Sequence, residues 1–194
     1  MELDIRFGDS IADSEGDILV VPMYDGGSWG PGGDWLAGQM PGLEEFLESA
    51  GFTAAVATTK TVPASDDLPF AAVTVVGLGE EVDAEVLRRA AGASAKACRS
   101  FQTAVTTLHL VEIEAAAEMV AFGFAAGLYR FENFKSEAKP AKLEAVLLAG
   151  SGGGGEAAVT RGIALAHGVA LTRDLVNTPA GFKPPTMLAG RVED

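Results

Sequence analysis

Runs rich in β-branched residues alternate along this chain with longer alanine-rich segments of helical period, and that alternation is the pattern of a layered α/β sheet. Six segments read as strands. Leu3–Phe7 alternates apolar and charged residues, as a half-buried strand would, whereas Asp17–Pro22 (DILVVP) reads as buried on both faces. Thr53–Val62 and Ala71–Gly79 flank a segment with Pro63, Asp66, Asp67 and Pro69, turn chemistry that predicts a hairpin. Thr103–Val111 and Leu143–Ala149 complete the set. The expected architecture is a three-layer α/β sandwich around a mixed, mostly parallel sheet of about six strands.

Three helices are expected between the strands. Asp83 is placed to cap a helix running to about Ser100, whose face of Val86, Leu87, Ala90, Ala93, Ala97 and Cys98 makes the cysteine core filler. A second, about Ala115–Phe131, is apolar on several sides through Met119, Val120, Phe122, Phe124 and Leu128, which predicts burial between the sheet and another element. The third, about Glu156–Val176, turns Val159, Ile163, Ala166 and Ala170 inward and stops before Pro179, which disfavours helix in the residue preceding it. Tyr24–Gly42, rich in glycine and proline, reads as a long surface loop that Trp29 and Trp35 pin to the domain. Residues 1–178 are therefore read as one α/β domain and residues 179–194 as a linker.

Charge narrows the function. Against 14 Lys and Arg the chain carries 27 Asp and Glu, a net −13, which repels nucleic acid and anionic lipid at long range. Eleven of those acids, and a single base, Arg6, lie before Lys60, so the first third is an acidic, solvated face. A lone cysteine rules out an internal disulfide and a thiolate metal cage. The start, MELDIRFGDS, lacks the basic and apolar regions of a signal peptide, and the longest apolar run, Met119–Tyr129, is too short to span a bilayer. Those features predict a cytoplasmic protein without a membrane partner.

Few residues offer chemistry. Leu147–Glu156 is a strand opening into five glycines and a serine before a helix, so Ser151, Gly152, Gly153 and Gly154 could cradle a phosphate on free helix amides. That segment lacks the lysine of a P-loop and fits the dinucleotide fingerprint loosely, and a flexible strand-to-helix turn accounts for the glycines equally well. Gly92-Ala93-Ser94-Ala95-Lys96 falls inside a helix, and Ser136-Glu137-Ala138-Lys139 precedes Pro140, so neither presents a nucleophilic serine. His109, on a strand, and His167, on a helix, have no ligand spacing between them and read as packed or surface histidines. Asp66-Asp67 and Glu80-Glu81 sit in turns.

Near the C-terminus, Leu171-Thr172-Arg173-Asp174-Leu175-Val176-Asn177-Thr178-Pro179-Ala180, with Pro184, Thr186, Leu188 and Ala189 after it, closely resembles the junction preceding the catalytic domain of leucyl aminopeptidases, also called cytosol aminopeptidases. Gly127-Leu128-Tyr129-Arg130-Phe131, followed by Phe134-Lys135-Ser136, is similar to a second segment of that family, with Phe134 in place of the usual tyrosine. The resemblance implies a macro-domain-like N-terminal domain and a following domain that binds two divalent metals, manganese or zinc, through motifs such as KGITFDSGG and NTDAEGR. Neither string occurs in this sequence, so the resemblance assigns no catalytic residue, no metal ligand and no cofactor to it. In the family a metal-bridging water cleaves the first peptide bond of a peptide, and the N-terminal domains lie outside a homo-hexamer whose catalytic domains form its centre. The implied role is structural: assembly, and access to the catalytic domain, with an apolar patch left exposed in isolation. The alternative is a macro-like domain that binds ADP-ribose or a nucleotide through Gly150–Gly155.

Overall fold

The computed structural model describes residues 3–133, 140–152, 154–186 and 190. Among them, six strands form one sheet: β1 (Asp4–Gly8), β2 (Ile18–Tyr24), β3 (Thr59–Pro63), β4 (Ala72–Gly79), β5 (Thr103–Thr106) and β6 (Ala145–Ala149). Their order is β1-β6-β5-β2-β4-β3, and only the β3–β4 pair is antiparallel. Five helices accompany them: α1 (Gly33–Gln39), α2 (Leu43–Ser49), α3 (Ala84–Cys98), α4 (Ala116–Leu128) and α5 (Gly155–Asn177). This is the mixed, mostly parallel sheet that the alternation predicts.

Strand β2 shows why the sheet is covered on both sides. Side chains of a strand alternate between faces, and here Ile18 and Val20 enter one apolar cluster while Leu19 and Val21 enter another. The first cluster is completed by Leu87 and Ala90 of α3, Val120 and Phe124 of α4, and Ala158 and Val159 of α5. Leu36 of α1 and Leu43 and Leu47 of α2 fill the second. Three layers result, with the long helices on one face and the two short ones on the other.

Three expectations are corrected. The strand foreseen over Thr53–Val62 begins only at Thr59, because Ala54 and Ala57 adopt φ of 54° and 61° and the segment folds across β4, with Ala57 N donating to Gly77 O at 2.9 Å. No side chain fits at Gly77 beneath that crossing, where a Cβ would run into the Ala54 and Ala55 backbone. The strand foreseen to Val111 ends at Thr106, whose Oγ1 accepts from Leu108 N at 3.2 Å and turns the chain into a 3-10 turn over Leu108–Leu110. Tyr24–Gly42 is not all loop, since α1 lies within it. Trp29 and Trp35 do pin it, packing on the second cluster, and Trp29 Nε1 donates to Glu44 of α2.

The helical boundaries follow the local chemistry. Asp83 accepts from Val86 N at 2.8 Å and caps α3. Helix α5 ends at Asn177, two residues before Pro179. Cys98 is fully buried, and loss of hydration pushes its thiol up to about 12. Native protein should therefore resist thiol reagents until it unfolds; rapid labelling of the folded chain would contradict this placement.

Candidate functional site

The two segments that carry the family resemblance come together in space at the end of α5. Tyr129, just past α4, donates its hydroxyl hydrogen to Asp174 Oδ1 at 2.7 Å, and Arg173 lies over the Tyr129 ring at 5.4 Å. Desolvation, followed by the hydrogen bond to Asp174, raises the Tyr129 phenol above its usual value. Thr178 Oγ1 donates to Asp174 O at 2.7 Å, and Lys183 Nζ donates to Leu175 O at 2.7 Å, which ties the chain after Pro179 back onto the helix. Phe134, Lys135, Ser136, Leu188 and Ala189 lie outside the described residues.

Along its length α5 changes character. Its first half is covered through Ala158, Val159, Gly162 and Ala166, whereas Ile163 and Ala170, expected inside, are half-buried. On the outer side Leu165, Leu171 and Val176 are exposed, Val176 to 74%, and Phe182 follows at 63%. Leu165 and Val169 line an open, mostly apolar cleft of about 820 Å³ whose polar edge is the Arg161–Glu118 ion pair at 2.8 Å. Exposed large apolar side chains of this kind mark surfaces that contact other protein.

The glycine-rich turn is a poorer site. Gly150, Gly152 and Gly154 take φ of 92°, 158° and 111°, conformations that favour glycine, so the turn itself accounts for them. Gly153 lies outside the described residues. Ser151, Gly152 and Gly154 line a shallow cleft of about 650 Å³ shared with Asp9 and Glu156, and none of its described lining residues is a cation. A phosphate there would face two carboxylates, so the nucleotide reading finds no support in this geometry.

The other candidates separate. Ser94 is buried and donates to Ala90 O at 2.9 Å, and the Ser136–Lys139 segment lies outside the described residues. His167 is exposed on α5, while His109 sits in the 3-10 turn after β5, fully buried, with Nε2 at 3.4 Å from Gly150 O and Phe7 edge-on at 5.6 Å. Asp66, Asp67, Glu80 and Glu81 are exposed in turns.

A sequence profile of the cytosol aminopeptidase family, N-terminal domain, matches residues 20–138. The chain belongs to that family. A probable cytosol aminopeptidase of Rhodococcus opacus is 35% identical over 193 residues, covering 92% of this chain and 37% of its own length. A tomato leucine aminopeptidase mutant superposes with a TM-score of 0.80 at 21% identity, over 99% of this chain and 42% of that one. The bottromycin maturation enzyme BotP in complex with Mn superposes with a TM-score of 0.70 at 29% identity, over 92% and 35%. The chain thus spans little more than a third of the Rhodococcus protein.

Among the described residues no three His, Cys, Asp or Glu side chains gather where one ion could be held. No described helix is long and apolar enough to cross a membrane.

Proposed function

We propose that this chain is the non-catalytic N-terminal domain of a two-metal aminopeptidase that removes N-terminal residues from peptides in the cytoplasm. Residues 1–178 form the domain and 179–194 lead toward a catalytic domain, which supplies both divalent metals, manganese or zinc. The domain contributes assembly, as the outer part of a homo-hexamer, and shapes access to the catalytic domain.

One observation carries this reading: α5 and the turn after it leave Leu165, Leu171, Val176 and Phe182 exposed, on the same helix as the Tyr129–Asp174 junction that carries the family resemblance. Burying such side chains yields about 1.5–3 kcal/mol each, which suits a contact made with another domain. The test compares the isolated chain with a longer protein that continues past Asp194. With a leucine chromogenic amide and Mn²⁺, the isolated chain should show no turnover and the longer protein should show metal-dependent release. Deleting residues 1–178 from the longer protein should change its assembly size by light scattering. Hydrolysis by the isolated chain, or an assembly indifferent to the deletion, would overturn the proposal.

A further inference from the structure

We infer that the groove between α3, α4 and the end of α5 is a binding site for a small polyphosphate-bearing anion. It is a cleft of about 700 Å³ into which Arg88, Arg89, Lys96 and Arg173 all face, and no carboxylate belongs to its described lining. In a chain of net charge −13 such a concentration of positive side chains is local and not a reflection of bulk composition. The volume lies in the range of small-ligand sites.

The cations are differently held. Arg88 is fixed by Glu85, through Nε at 2.7 Å and Nη2 at 2.5 Å, and stacks over Phe122 at 5.4 Å. Arg89, Lys96 and Arg173 form no ion pair among the described residues. Arg89 and Lys96 stand two helical turns apart on one face of α3, about 10 Å along the axis at 1.5 Å per residue. Arg173 reaches the same groove from α5, held by its position over the Tyr129 ring.

The floor explains why the groove stays open. Gly92, Gly123 and Gly127 bring α3 and α4 so close that a Cβ at Gly127 would lie 2.6 Å from Gly92 O. Apart from Thr59 and Tyr129, the uncharged lining is glycine and alanine, which leaves room between the charges. A guanidinium presents a fork that matches two phosphate oxygens, and an ammonium adds a point charge. Positive groups spaced along two helical turns suit an anion with several phosphates more than a single phosphate.

Calorimetric titration of the chain with inorganic triphosphate at low ionic strength tests this, with orthophosphate and citrate as the other arms. Saturable binding to triphosphate is expected, tighter than to either comparison anion and weakened by added NaCl, because exposed charges are screened within about 8 Å at physiological salt. The double variant Arg89→Ala/Lys96→Ala should lose about tenfold or more in affinity, and Arg173→Ala should also weaken binding. Arg6→Ala, far along the sequence and outside the groove, should bind as the parent does, and circular dichroism checks that each variant folds. Absence of saturable binding, undiminished affinity in the double variant, or citrate bound as tightly as triphosphate would overturn the assignment.

Discussion

Valine in place of Gly123 should lower the thermal midpoint by roughly 10 °C, through an overpacking cost of about 3 kcal/mol at 2–4 °C per kcal/mol for a domain of this size. Gly123 is buried in the middle of α4, where an added Cβ would collide with Arg88 O and lie 2.5 Å from Ala91 Cβ of α3. Backbone atoms cannot rotate aside, so the helices themselves must separate, and Gly127 and Gly162 beside it leave no slack in the layer. Even Gly123→Ala should destabilise, although alanine outranks glycine by about 1 kcal/mol in a helix interior. Gly168 supplies the contrast: it lies in the interior of α5 but has open space around it, so Gly168→Ala should stabilise by about that amount. Thermal melts of the three variants decide the matter, and a stabilising Gly123→Ala would show that α3 and α4 do not approach as described.

These glycines also mark what sequence reasoning could and could not reach. The strands β2 and β4 were legible because continuous runs such as Ile18–Val21 and Val73–Val76 have few other uses. Helix α3 was legible from Asp83 and an apolar face of helical period. The failures fall where a long-range contact overrides a local preference. Nothing in Thr53–Thr58 announces that Ala54 and Ala57 will take positive φ; the crossing over Gly77 imposes it. Thr103–Val111 reads as a strand until Thr106 bonds to Leu108 N, a choice fixed by the hydroxyl rather than by hydropathy.

The candidate sites divide in the same way. Leu165, Leu171 and Val176 fall outside the helical stripe of Val159 and Ala166, so their exposure could have been foreseen from spacing alone. The basic groove could not. Arg88, Arg89 and Lys96 look like the solvated face of an amphipathic helix, and only the packing of α5 against α4 brings Arg173, distant in sequence, to the same cleft. Composition pointed the other way, since a net charge averages over surfaces that face different directions.

Acid should destabilise the domain through His109 well before most carboxylates protonate. Burial lowers its pKa from 6.5 to about 4, partly opposed by the hydrogen bond to Gly150 O, so the folded protein holds a neutral imidazole. The unfolded chain takes up a proton near pH 6.5 while the folded one does not, and stability falls as pH drops from about 6.5 to about 4. The difference corresponds to roughly 3 kcal/mol, fully present above the unfolded pKa and lost by the folded one. Replacement by leucine removes the titrating group, so urea midpoints of His109→Leu should change less with pH across that window than those of the parent. Leucine also forfeits the Phe7 edge contact and the bond to Gly150 O, and its midpoint at pH 7.5 can be lower without affecting the test, which reads the slope. Parallel slopes would mean that His109 meets solvent in the folded state. A buried imidazole whose Nδ1 has no partner among the described residues costs free energy, which the bond to Gly150 O, joining the turn after β5 to the turn after β6, offsets in part.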